Sequence, residues 1–211
     1  MDEEKETGRI EAFSDGVFAI AITLLILNIQ VPKVHDLRPG MRLARALLEQ
    51  WPAYVSYITS FLTILIMWAN HHKLFLNIKR TDHYFLLING LLLMGVTVIP
   101  FPTALVAEYI QHRDAPLATE VLTGSYLVIA ILFNLLWHYA AHGNRLLSKN
   151  SDPGVVQNIT RQYRFGPLLY LIDFALAFVN VAASITLCLL MAIFFALPPD
   201  LLHSGSRDTS S

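Results

Sequence analysis

The sequence predicts an all-α integral membrane protein with six transmembrane helices, and three observations carry that prediction. Over half of the 211 residues are apolar, while Asp, Glu, Lys and Arg supply only 15% against about a quarter in soluble domains. The stretch from Gly16 to Ile29 holds no charged residue. Apolar runs of the same character then recur along the chain, and no link between them is long enough to form a soluble domain.

The first run, Phe13 to Pro32, has roughly 20 residues and reaches about 30 Å as a helix, the thickness of a bilayer's hydrocarbon core. The second runs from Trp51 to Ala69. The third runs from Tyr84 to Ile99, with Pro100 and Pro102 expected to kink or end it near the far surface. The fourth covers Leu117 to Tyr139. The stretch from Phe165 to Leu197 is too long for one span and is interrupted by Asp173, Asn180 and Ser184. Two tightly connected helices divided near Asn180 are expected there. One long tilted helix would instead give five spans and put the C-terminus on the opposite side.

In the six-span arrangement ten of the Lys and Arg residues fall on one side, among them Lys5, Arg9, Lys73, Arg80, Arg145, Lys149 and Arg207. Five fall on the other: Lys33, Arg38, Arg42, Arg45 and Arg113. Positive charge gathers in the cytoplasm, so both termini are expected there and the protein in the cell membrane as a multi-pass chain. Residues 1–200 form a single transmembrane domain and 201–211 a flexible tail. No cleavable signal is expected, because the first eight residues are polar and the apolar run after them is too long.

Composition also narrows the function. A formal charge of −1 with no basic, aromatic-interleaved patch makes nucleic acid an improbable partner. The single cysteine, Cys188, excludes an intrachain disulfide and a cysteine-cluster metal site. No nucleophile with its base and no two-histidine-plus-carboxylate set occurs at enzyme-like spacing. The absence of an internal repeat disfavours repeat-built transporters.

On a regular first helix Ile20, Leu24, Leu27 and Val31 share one stripe, with Thr23 at its edge. Asp15 falls about 140° from Ile20, with Glu11 beside it and Arg9 on another face. A carboxylate at that depth needs a partner. On these residues alone the stripe suits lipid or another helix as well as a pore, and Arg9, Glu11 and Asp15 suit an interfacial role. Thr23 has two uses, an oxygen beside the stripe or a bond back to the carbonyl of Ala19 or Ile20.

Arg9, Phe13, Ser14 and Asp15 form an R-x-x-x-F-S-D pattern, followed by Gly16 to Ile20 as GVFAI, a closing Val31-Pro32, and WANHHKLF from Trp68 to Phe75. This set resembles the transmembrane protein 175 family in its short, prokaryotic six-helix form. The resemblance implies a homotetramer whose first helices line a central pore permeable to potassium and other monovalent cations. It implies a leak channel with no carbonyl filter, and no TVGYG-like run occurs here. It also places the narrowest ring at Ile20, then Thr23 with Leu24, then Leu27, residues that helical geometry sets on or beside one stripe. Arg9, Phe13, Ser14 and Asp15 would hold the pore helix, with Trp68, Asn70, His71 and His72 as partners.

No cofactor is implied. Adjacent histidines diverge by about 100° on a helix, so no bound metal is expected beyond passing cations. A histidine beside a carboxylate would make pH-dependent gating an expectation. The outer basic residues Lys33, Arg38, Arg42 and Arg45 oppose cation entry unless they face headgroups. The alternative from another class is a proton-coupled secondary transporter with Asp15, His71 or Asp173 as its titrating group. Asn89, Asn134, His138, Asn180 and Ser184 are expected to bond between helices. Asp173 is expected either to pair with Arg161 or Arg164 or to sit in a water-filled crevice.

Overall fold

The computed structural model describes residues 2–33, 42–148 and 152–196. The expected tail at 201–211 and the outer Arg38 lie outside the described residues, as do Lys149 and Arg207. The α-helices are α1 (Asp2–Leu24), α2 (Leu43–Glu49), α3 (Trp51–Asn77), α4 (His83–Val98), α5 (Pro100–Tyr109), α6 (Ala115–Ala141), α7 (Pro153–Ala177) and α8 (Val181–Ala196). Thr7–Asn28, Trp51–Asn77, His83–Tyr109 and Ala115–Asn144 are each long and apolar enough to cross a membrane. Val181–Ala192 is apolar but shorter.

The first helix differs from the regular rod expected through Pro32. Its α-helical part ends at Leu24, tightens into a 3-10 turn over Leu25–Asn28, and gives way to an extended Ile29 (φ −94°, ψ 106°). Two bonds account for the tightening. The Ile29 N–H reaches back only three residues to the Ile26 carbonyl (3.0 Å), and the Asn28 side-chain amide donates to the Pro100 carbonyl (3.3 Å).

Pro100 and Pro102 kink the third run rather than end it. Both fall in the first turn of α5, where a helix does not need their missing N–H groups. The Val96 carbonyl, which Pro100 cannot serve, accepts instead from Ile99 N–H (3.2 Å). The second run continues two turns beyond Ala69, because His71, Leu74 and Phe75 all face the core.

The long C-terminal stretch is two helices, broken at residues 178–180. Asn180 makes the restart, its side-chain oxygen accepting the Ala183 N–H (3.0 Å) as an N-cap. The helix before the break starts at Pro153, twelve residues ahead of the expected Phe165. Asp152 caps it by accepting from Gly154 N–H (2.8 Å), and Pro153 suits its first turn. Pro167 lies inside α7 and leaves the Tyr163 carbonyl without its helical donor. The Asn134 amide of α6 supplies one at 2.7 Å.

Helix α6 is central, packing on α4, α5 and α7, while α8 packs on α3 and α7 and α1 on α3 and α4. The buried core includes Phe18, Leu25, Ile64, Leu92, Tyr126 and Trp137. Lipid is as apolar as these side chains, so fit rather than escape from water holds the spanning helices together. Close fit is visible at Gly124, where a methyl group would come within 3.2 Å of the Phe174 ring.

Past α6 the chain reverses through Gly143 and Asn144, both at positive φ (59° and 55°). The returning segment pairs Leu147 with Ile78. Asp82 fastens this corner: it caps α4 by accepting from Phe85 N–H (2.9 Å), accepts from the Tyr139 hydroxyl (2.8 Å) and meets Arg145 (3.1 Å). Desolvation alone would raise its pKa, but these donors and the guanidinium outweigh it and hold the carboxyl below its ordinary value.

Candidate functional site

Helix α1 has two unlike faces, and the polar side chains at its start are joined to α3 and α4. Ser14 is fully buried. Its hydroxyl donates to the Ile10 carbonyl (2.8 Å) and accepts from the Asn89 amide of α4 (3.1 Å). The Asn89 oxygen lies 2.9 Å from His71 Nε2 of α3. Because the Asn89 nitrogen is turned to Ser14, its oxygen is left to accept, and Nε2 carries the proton. The His71 ring lies between Phe18 and Phe75, at centroid distances of 5.3 and 4.6 Å.

Two further bonds run to α3. The Trp68 indole donates to Asp15 (2.8 Å), and His72 Nδ1 meets Glu11 (2.8 Å). One turn up α1 is matched by one turn back on α3, as antiparallel neighbours require. The carboxylate-paired histidine is therefore His72 with Glu11, whereas His71 pairs with an amide.

The other expected members stand apart. Arg9 and Phe13 are exposed and line a shallow cleft with Leu86, Gly90 and Leu93. Arg9 has no ion pair among the described residues. Asn70 contributes its backbone carbonyl, which accepts from the Tyr163 hydroxyl (3.3 Å), and makes no side-chain bond to α1 among the described residues. Asn89 is the joint of the network. In sequence it was one of several polar residues at membrane depth, and its partners lie 75 and 18 positions away.

The face carrying Ser14, Phe18, Ala21 and Leu25 is fully buried. The opposite face is bare, with Ile20 at 59% exposure and Leu24 and Thr23 also exposed; Leu27 of the 3-10 turn continues it at 69%, whereas Val31, expected on the same stripe, follows the extended Ile29 and stands off the helix at 85%. The Thr23 hydroxyl donates to the Ile20 carbonyl (2.8 Å). With its proton so engaged, only oxygen lone pairs remain for anything beside the helix. Near the end of this face a cleft of about 790 Å³ is lined by Leu27, Val31, Lys33, Glu49 and Glu108. The two carboxylates were not anticipated, since they come from α2 and α5. Arg45, one of the outer basic residues, is turned to Glu49 (3.2 Å).

Of the three groups a carrier would draw on, Asp15 is bonded to Trp68 and His71 to Asn89. Asp173 is fully buried. It pairs with neither Arg161 nor Arg164, both of which are exposed on α7. Arg164 precedes it by nine residues, about 13 Å of helix, which is beyond pairing distance.

A potassium channel of Chamaesiphon minutus is 55% identical over 195 residues, covering 92% of this chain and 96% of the relative. The chain belongs to the TMEM175 family. The family profile described as endosomal/lysosomal potassium channel TMEM175 matches residues 9–100, a segment that contains every residue of the network joining α1 to α3 and α4. The crystal structure of a lysosomal potassium-selective channel TMEM175 homolog from Chamaesiphon minutus superposes with a TM-score of 0.83. It is 53% identical and covers 91% of this chain and 97% of that one. The endosomal/lysosomal proton channel TMEM175 of Bos taurus is 34% identical over 65% of this chain but 30% of its own length. This TMEM175-family chain is thus a multi-pass membrane protein of a channel family.

Proposed function

We propose that four copies of the chain assemble around one axis and that the bare face of α1 lines a potassium-permeable leak pathway along it. The observation that carries this is the asymmetry of α1, one face locked into the protomer and the opposite face left without a partner. The kinship with a potassium channel over nearly the whole chain supports the choice of permeant. All six apolar runs span the membrane in this arrangement, with α7 and α8 as the last two and both termini in the cytoplasm, as the distribution of Lys and Arg favours.

The mechanism follows from the side chains. Ile20 forms the narrowest ring, and it offers no oxygen to replace a cation's water. Selection then works through a penalty: an ion in the neck sheds part of its hydration, and the smaller, more strongly hydrated sodium ion loses more than potassium. Thr23 lone pairs stand next to this neck, followed by Leu24 and Leu27, and a dewetted neck is the closed state. Glu49 and Glu108 at the outer end offset the basic residues there.

The test is potassium flux in reconstituted vesicles. Ile20→Asn should raise the flux by more than about tenfold, equivalent to roughly 1.4 kcal/mol off the barrier, and remove the preference over sodium. Unchanged flux would end the pore assignment. A cysteine placed at Ile20 should crosslink between subunits, and the native Cys188, being buried, will not compete. A label that marks this cysteine from the lipid phase would place the bare face outside the assembly.

A further inference from the structure

The interior of the α7–α8 hairpin holds a group for which the pore reading has no use. Asp173 is completely buried. One of its oxygens, Oδ1, accepts from the Ser184 hydroxyl of α8 (2.8 Å), while Oδ2 has no partner. The titratable groups that face it are Tyr170 of the same helix and the Cys188 thiol of α8. Tyr126 of α6 packs behind them, 6.2 Å from Tyr170 between ring centroids, and donates to Ser60 of α3 (3.0 Å). None of these is a cation. A carboxylate inside a membrane persists in charged form where it is paired or hydrated, and here no cation among the described residues pairs it.

We propose that Asp173 is a proton-binding site inside each protomer, apart from the bare face of α1, and that it holds its proton on Oδ2 at neutral pH. The bonding pattern favours the neutral acid over the anion: Oδ1 accepts from Ser184, and the unpartnered Oδ2 costs less to bury as a hydroxyl than as a charged oxygen. The proton comes from water and returns to water. A small cavity of about 60 Å³ between α3, α6 and α7, lined mostly by apolar side chains such as Ile66, Met67, Ile129 and Phe133 together with Asn70 and Tyr163, reaches Tyr170, one turn of α7 before Asp173. Because no residue is shared with the bare face of α1, the site does not depend on the pore reading, and its failure would leave that reading intact.

Infrared difference spectroscopy of the full-length protein in lipid bilayers tests it. At neutral pH the wild type should show the carbonyl stretch of a protonated carboxylic acid, and Asp173→Asn should lack it. Ser184→Ala should move the same band to higher frequency, because the carbonyl loses its donor. Absence of any acid band removed by Asp173→Asn would overturn the proposal, as would a band that Ser184→Ala leaves in place. If Asp173→Asn does not fold, the Ser184→Ala shift decides alone.

Discussion

The two faces of α1 differ in almost every respect. The inner face carries Ser14, Phe18, Ala21 and Leu25, all buried, and hydrogen bonds flank it at Glu11, Ser14 and Asp15. The outer face carries Ile20 and Leu24, continued by Leu27 in the 3-10 turn, all exposed and with no polar group but Thr23. The difference teaches that the side chains that fix this helix to its neighbours and those it leaves bare are separate sets. In the proposed pore a ring that selects through a hydration penalty must keep its width, so the side chains that form it gain from a helix fixed on its other side. Had the anchor and the ring shared a face, each would constrain the residues available to the other.

Phe18→Ala should produce the largest loss of stability, about 3 kcal/mol or more, because it empties the contact with His71 at the centre of the buried face. Ile20→Ala, two residues on, should cost less than about 0.5 kcal/mol in the isolated protomer. Comparing the two by denaturant unfolding in detergent checks the asymmetry, and equal losses would show that both faces are packed. Asn89→Leu comes next, at about 1–3 kcal/mol, because it leaves the His71 N–H buried without an acceptor. A second change, His71→Phe, should recover part of that loss.

The smallest effect lies outside the helix altogether. Asp82 is held below its ordinary pKa, so it favours the folded state above the unfolded carboxylate's pKa, and that contribution is lost as pH falls through the lower, folded value. Thermal unfolding followed from neutral to acidic pH should show a steeper acid decline for wild type than for Asp82→Asn, with both faces of α1 unaffected.

Much of the fold was legible because membrane helices announce themselves by length and apolarity. The four long spans lie where hydropathy puts them, and the break near Asn180 followed from a polar residue inside a run too long for one crossing. The start of α7 was hidden because Gln157, Arg161 and Arg164 dilute its apolar pattern, and nothing in the sequence says that Asp152 caps it. The bare stripe of α1 was visible from helical periodicity, up to the 3-10 turn at Leu25–Asn28 that a regular rod ignores. Periodicity could not rank Asn89 above Asn134, since both are amides at membrane depth. What separates them is what each meets in space, a buried histidine and serine for one and a carbonyl freed by Pro167 for the other. The expected pairing of Asp173 with Arg161 or Arg164 failed for a related reason: those arginines lie turns away along the same helix, too far to reach it.

One consequence follows from the two threads that hold α1 to its neighbour. Near its start it is tied to α4 through Asn89, and near its end to α5 through the Pro100 carbonyl, while α4 and α5 meet at the bend around Ile99. The arrangement is that of a bowstring on a bow. Ser14 and Asn28 thus fasten the stretch that carries Ile20 to both arms of the proline corner, and in the proposed pore a shift of one arm against the other would reach that ring as a tilt or a slide.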